Sequence, residues 1–410
     1  MAAVCHRIST GFVQNPPGSS SLTHLGTRGR EIAAGRYTQA LKRVLFVFGT
    51  RPEAIKLCPL VGRLKSEPER FAIRVCVTAQ HRDMLDQVLA AFSVVPDYDL
   101  DLMRPGQSLA SLTARILESV EPVLDSWRPD LVVVQGDTTT TLAGALAAFY
   151  RRIAVAHVEA GLRTGDPSQP FPEEMNRVLT SRVAALHFAP TAGAKAALEA
   201  EGVGCERIFV TGNTGIDAVL YVRDALEAGR VRVCPWPWLD ASRRLIVVTS
   251  HRRENFGPGF ERAVRALVEL AGRGDVQIVY PVHRNPQVAG PAYKMLAGVP
   301  NVVLLDPLPY APFVDLMRRA YLIVTDSGGI QEEAPSLGKP VLVLREKTER
   351  PEAVDAGTVK LVGTDAGRIV REAGRVLDDP AAHAAMIGTH NPYGDGHACE
   401  RIARVLAGLR

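Results

Sequence analysis

Short runs of apolar, β-branched residues punctuate the chain, and between them apolar positions recur three and four residues apart. Runs at 44–48, 73–78, 131–135, 154–158, 186–189 and 208–210 predict strands in the first half. A second series at 245–249, 276–280, 302–305, 322–325, 341–344 and 360–362 predicts further strands. Stretches such as 142–150 and 260–270 carry the helical period. Continuously apolar strands are covered on both faces, and their alternation with helices builds parallel sheets. The expected fold class is therefore α/β, with two Rossmann-like, doubly wound lobes facing a cleft. Residues 211–239, with Pro235, Trp236 and Pro237, break the pattern and predict a hinge with a connecting helix. The expected partition is 42–211 plus 390–410 as an N-terminal lobe and 212–389 as a C-terminal lobe, after an extension at 1–41.

Composition narrows the function classes. At 410 residues and 46% hydrophobic the chain can bury two cores, and a net charge of +4 does not favour a nucleic-acid partner. Cysteines 5, 58, 76, 205, 234 and 399 show no C-x-x-C pair and no zinc spacing, a usage that suits a reducing compartment and points to the cytoplasm. No apolar run reaches membrane-spanning length. The first 35 residues or so are rich in Ser, Thr, Gly and Pro and read as flexible, although Arg7, Arg28, Arg30 and Arg36 leave an organelle-targeting role open.

Doubly wound sheets bind ligands beyond the carboxyl ends of their strands, and the unusual residues of this chain fall there. After the first run comes Gly49-Thr50-Arg51-Pro52-Glu53-Ala54-Ile55-Lys56, a tight turn into a helix whose cations suit either a phosphate or solvent. After the third comes Gly136-Asp137 and four threonines, where Asp137 reads as a helix cap or as a carboxylate facing the cleft. Glu159 ends the fourth run ahead of Gly161 and Gly165 and is harder to explain structurally, whereas Glu174 reads as an ordinary acid of a first helical turn. In the second half, His251 between Ser250 and Arg252-Arg253 suits a diphosphate or a structural histidine. Asp326-Ser327-Gly328-Gly329 opens a helix with amide donors, and Glu333 lies one turn further in, placed for ribose hydroxyls.

Taken together, Gly49–Lys56, Gly136–Thr141, His157–Gly165, Pro172–Arg177, His251–Glu254, Asp326–Gly338 and residues 391–396 resemble the bacterial, non-hydrolysing UDP-N-acetylglucosamine 2-epimerases, in that family's order and spacing from about Arg43 onward. The resemblance implies the two-lobed GT-B architecture. It also implies reversible conversion of UDP-N-acetylglucosamine to UDP-N-acetylmannosamine through a 2-acetamidoglucal intermediate, feeding surface polysaccharides. By the same resemblance Asp137, Glu159, Glu173 and His251 are catalytic. Arg51 and Lys56 line the cleft near phosphates and sugar, Ser327, Gly328, Gly329 and Glu333 contact phosphate and ribose, and Phe313 and Arg350 surround the uridine. Gln80 and His283 match a second, activating nucleotide-sugar site. A homodimer is implied, with a UDP-sugar as substrate and possible activator, no redox cofactor and no metal. Two positions depart from the family pattern: Ser250 stands where glycine is common, and Leu308 where glutamine is. The readings that compete are a hydrolysing epimerase, a GT-B glycosyltransferase and a nucleotide-sugar sensor without turnover.

The chemistry explains why such groups would gather. The C2 hydrogen has no neighbouring carbonyl and becomes acidic only as the C1–oxygen bond breaks. That order demands stabilisation of the departing diphosphate and acid/base groups on both faces of C2. Repulsion among Asp137, Glu159 and Glu173 is expected to raise at least one of their pKa values.

Overall fold

The computed structural model describes residues 41–79, 82–104, 106–348, 350–388 and 390–409. The expected extension, apart from Leu41, lies outside these residues, and so does Gln80.

Two parallel sheets form the framework. The first holds β1 (Lys42–Phe48), β2 (Phe71–Val77), β3 (Tyr98–Asp99), β4 (Leu131–Gln135), β5 (Ala154–Val158), β6 (Leu186–Ala189) and β7 (Ile208–Val210), in the order 3-2-1-4-5-6-7. The second holds β8 (Arg244–Thr249), β9 (Val276–Pro281), β10 (Val302–Leu305), β11 (Leu322–Thr325), β12 (Val341–Val343) and β13 (Val359–Leu361), in the order 10-9-8-11-12-13. Both sheets reverse direction of winding at one place, between β1 and β4 and between β8 and β11. Register there is set by Val44 beside Leu131 and Ile246 beside Leu322. Such switch points open the crevices in which doubly wound sheets hold ligands.

The strands are where the β-branched runs place them, with shifts at their ends. β2 begins at Phe71 and stops at Val77, so Thr78 lies beyond it and turns its hydroxyl to Thr140, 3.0 Å away. β12 ends at Val343, and β13 spans Val359–Leu361, one residue earlier than expected. β3, only two residues long, carries no alternation that a sequence pattern can reveal.

Apolar packing is continuous from one sheet to the other. One cluster takes Phe46 and Leu57 from the first sheet's side, Ile216 and Val219 from the helix Thr214–Glu227, and Val247, Val314 and Met317 from the second. That helix occupies the expected break and packs on the helix Arg51–Lys65, as does the last helix, Ala398–Gly408. Among the described residues no helix is long and apolar enough to cross a membrane.

Candidate active site

The turn after β1 is built around Glu53. Thr50 caps the helix Arg51–Lys65, and Glu53 answers from its third position, the reciprocal pair that a Thr-x-x-Glu spacing encodes. One oxygen of Glu53 accepts from the amides of Gly49 (3.1 Å) and Thr50 (2.7 Å), the other from the hydroxyls of Thr138 (2.8 Å) and Thr141 (3.2 Å). This buried carboxylate therefore ties the β1 turn to the β4 turn, across the first switch point. Gly49 has no alternative there, because a Cβ would collide with the hydroxyls of Thr78 and Thr140. Sequence reasoning passed over Glu53, although the capping-box spacing was visible.

An acidic cluster follows. Thr138, not Asp137, caps the helix Thr139–Tyr150, accepting from the Thr141 amide at 3.0 Å. Asp137 instead pairs with Arg177. Its carbonyl accepts from Asn176 at 2.8 Å, so the start of the helix Glu173–Val183 lies against it. Glu159 leaves β5 in the left-handed region (φ 63), a strained conformation for a side chain other than glycine's. Its carboxylate pairs with Lys56 and accepts from Gln135 at 2.8 Å. Lys56 also reaches Glu332 of the second sheet's side at 3.7 Å. Burial opposes the Lys56 ammonium, but Glu159 and Glu332 outweigh it and hold its pKa above the usual value. Glu159 is likewise raised, first by burial and then by Glu332 and Asp137, against the pull of Lys56. Repulsion does contribute to that shift, as expected, but burial leads it and Glu332, not Glu173, supplies the larger share.

Glu173 begins the helix Glu173–Val183, and its Oε2 is buried without a protein hydrogen-bond partner. Glu174 does more than complement a helix dipole. Its Oε1 accepts from the amides of Thr164 (3.0 Å) and Gly165 (3.1 Å), fastening the glycine-rich segment after Glu159. His157, buried in β5, contacts the Gly136 carbonyl at 2.7 Å, and burial pushes its pKa down to about 3, so the neutral ring donates there.

The second site component is a cavity of about 250 Å³ at the other switch point. Arg51 and Ile55 line it from the first sheet's side, facing His251, His283, Phe313, Ser327, Gly329 and Glu333. Buried Asp326 shapes the His251 loop, accepting from the Ser250 hydroxyl (2.7 Å) and from the amides of His251 (2.9 Å) and Arg252 (3.0 Å). Ser250 thus adds an anchor that glycine would lack. His251 stacks on His283 with centroids 5.6 Å apart, and burial lowers its pKa despite Asp326. The Leu308 carbonyl accepts from Arg51 at 3.4 Å.

Ser327 precedes the helix Gly328–Ser336, whose first amides point out of its start. A Cβ on Gly328 would come within 2.5 Å of the Arg350 guanidinium, which donates to Glu332 at 2.7 Å. Burial and neighbouring Glu332 push Glu333 up to about 8. Its Oε2 accepts from Tyr310 at 3.4 Å.

The expected site residues thus fall into two groups. Arg51, His251, His283, Phe313, Ser327, Gly329 and Glu333 share the cavity, with Gly328 and Arg350 packed together at its edge. Lys56 belongs instead with Glu159, and Asp137 with Arg177 at the head of the Glu173 helix. Arg177 and Glu332 were missed, because their roles come from partners distant in sequence.

Known proteins resemble the chain in sequence and in fold. The chain is 57% identical to the UDP-N-acetylglucosamine 2-epimerase of Salmonella typhimurium, over 90% of this chain and 99% of that one. The crystal structure of UDP-GlcNAc 2-epimerase from Neisseria meningitidis bound to UDP-GlcNAc superposes with a TM-score of 0.83 at 46% identity, covering 90% of this chain and all of that one. A glycosyltransferase from Streptomyces nogalater, 19% identical with a TM-score of 0.59 over 90% of this chain and 100% of its own, shares the GT-B fold alone. A family model described as UDP-N-acetylglucosamine 2-epimerase matches residues 63–407, and the chain belongs to that family.

Proposed function

We propose that the protein interconverts UDP-N-acetylglucosamine and UDP-N-acetylmannosamine without hydrolysis, and that one observation carries the reading. Carboxylates follow β4 and β5, and Lys56, paired with one of them, reaches Glu332, the chain neighbour of Glu333 in the cavity wall that also carries Arg51, His251 and a helix start. Binding a diphosphate sugar gains nothing from added negative charge, so the acids are there for proton transfer.

In the first step the C1–oxygen bond breaks and its electron pair leaves with UDP. Arg51, His251 and the amides at Ser327–Gly329 receive that charge as it develops. A carboxylate takes the C2 proton, the C–H pair becomes the C1–C2 double bond, and 2-acetamidoglucal results. Re-addition of UDP at C1, with a proton delivered to the opposite face of C2, gives the epimer. Asp137, Glu159 and Glu173 supply the acid/base groups; the unpartnered Oε2 of Glu173 and the raised proton affinity of Glu159 support this assignment. Phe313 and Arg350 are assigned to the uridine side, and Glu333 to the ribose.

The lobes implied by this reading are 42–211 with 390–410, and 212–389. The return of the helix Ala398–Gly408 to the first sheet's side supports that partition. We assign the enzyme to the cytoplasm, as a homodimer supplying surface polysaccharide precursors. Exposed Phe149, Tyr150, Met175 and Leu179, on adjacent helices of the first sheet's side, support self-association. His283, stacked on His251 in the cavity, supports a second nucleotide-sugar contact at this wall.

Incubation with UDP-N-acetylglucosamine in deuterated water tests the reaction. UDP-N-acetylmannosamine with deuterium at C2 is the expected product. Free N-acetylmannosamine would mean a hydrolysing epimerase, and transfer to an added acceptor a glycosyltransferase.

A further inference from the structure

Glu332 has no part in the reaction as derived above, yet it occupies the point where both halves meet. It is 1% exposed. One carboxylate oxygen accepts from Asn213 at 3.0 Å and lies 3.7 Å from Lys56, while the other accepts from Arg350 at 2.7 Å. Asn213 begins the helix Thr214–Glu227 that links the sheets, and its Oδ1 accepts from Gly215 at 2.8 Å. The returning segment arrives at the same place, where Asn391 donates to the Glu332 carbonyl at 2.8 Å and Tyr393 accepts from the Asn213 amide at 2.7 Å through its carbonyl. Both passages of the chain between the sheets therefore converge on this residue.

Lys56 is thereby held between two carboxylates from opposite sides of the cleft, Glu159 and Glu332. An ammonium with one buried partner would collapse onto it and neutralise it. Lys56 does hydrogen-bond Glu159, and Glu332, 3.7 Å away, draws on the same cation and so weakens that neutralisation. We propose that Glu332 is a positioning residue of the epimerisation: by sharing Lys56 with Glu159 it keeps that carboxylate in step with its task of exchanging a proton with C2. The inference rests on the reaction proposed above.

The charges around the pair agree with this role. Lys56 faces Glu159 from the helix Arg51–Lys65, and Asp137 faces it from the β4 turn, itself paired with Arg177. Arg350, Glu333 and Tyr393 surround Glu332 from the second sheet's side and the returning segment. Glu332 follows burial and Lys56 among the influences on Glu159, and it raises that group's proton affinity. Removing its charge while keeping its shape lets Lys56 act on Glu159 alone, so Glu159 gives up its proton at lower pH.

Glu332→Gln in the full chain, assayed for kcat and KM with UDP-N-acetylglucosamine across pH, tests this. The limb of the kcat profile governed by Glu159 moves down by about one pH unit, and kcat at its optimum falls about tenfold with KM little changed. Glu332→Asp restores most of both. Asn213→Ala, which leaves the Glu332 oxygen it held to Lys56 and draws the cation away from Glu159, shifts the limb the opposite way by less, so it carries the test if the glutamine variant does not fold. An active wild type whose limb stays in place in the variants, or whose KM rises while kcat holds, overturns this inference alone. A wild type that leaves UDP-N-acetylglucosamine unchanged overturns it together with the reaction it rests on.

Discussion

The two ends of the site are built on opposite plans. At the acid end, Lys56 is already paired with Glu159 and Arg177 with Asp137 inside the protein, while Glu173 keeps one buried oxygen without a protein partner. At the cavity end, Arg51 lends one long contact to a carbonyl, and the helix start at Ser327 aims amides outward. Pre-paired charges hold reacting groups still, and their proton affinities are set by neighbours before any ligand arrives. Outward donors cost little when empty and gain when a diphosphate comes. Substitutions at the acid end should therefore damage turnover alone, while those in the cavity, whose donors hold the diphosphate before as well as during bond breaking, should be felt in binding or stability too.

The largest effect tests the acid end. Glu159→Gln keeps the shape and the acceptor for Lys56 but loses the exchangeable proton, so kcat should fall about 10²–10⁴-fold, roughly 3–5 kcal/mol of barrier. Circular dichroism should show an unchanged fold. A variant within threefold of wild type would erase the contrast between the two ends.

Glu333 probes the cavity through pH. Its folded-state pKa of about 8 stands above the ordinary value of 4.5, so between those values the folded protein holds a proton that the unfolded chain has released. Stability must then fall as pH rises through that window and level off above it. Glu333→Gln removes this penalty, by at most a few kcal/mol. Without ligand, the variant should melt above wild type at pH 9 and approach it near pH 5. A variant that melts lower at pH 9 would show that Glu333 is ionised and well compensated when the cavity is empty.

Gly328→Ala addresses the outward amides. The new methyl meets the far end of Arg350, which Glu332 restrains. Arg350 must move by a few tenths of an ångström or more, at the edge where the diphosphate is proposed to rest. KM should rise about tenfold, equivalent to roughly 1.4 kcal/mol, with kcat reduced less. If kcat alone falls, the two ends are not separable in the way described.

The sequence displayed these ends unequally. Strands were legible because fully covered β-branched runs leave little doubt, and the residues trailing them were conspicuous. Asp137 was ambiguous until Thr138 proved to be the cap. Lys56 looked like a phosphate cation because its chain neighbourhood is a turn after a strand. Only the fold brings Glu159 and Glu332 to either side of it, from 103 residues away for the first. Glu332 sits beside the better-marked Glu333, and nothing local distinguishes a bridge between sheets from a second acid in a helix. Pairing across long sequence separations is the part of a site that local pattern does not encode.

The smallest effect comes from the departure at Ser250. Its hydroxyl is one of several donors on Asp326, alongside the amides of His251 and Arg252 and the side chain of Asn255 at 3.2 Å. Ser250→Gly would delete one and free the backbone of the loop, yet three donors would still satisfy the buried carboxylate. A hydrogen bond to a charged group contributes about 1.5–3 kcal/mol at most, and redundancy around Asp326 should bring the net loss to about 1 kcal/mol. Turnover should stay within twofold, since His251 keeps its amide anchor. The midpoint of chemical unfolding and the steady-state rate check this together. A tenfold drop in kcat would show that the serine holds His251 in a position the remaining donors cannot maintain, and the cavity would then be as finely wired as the acid end.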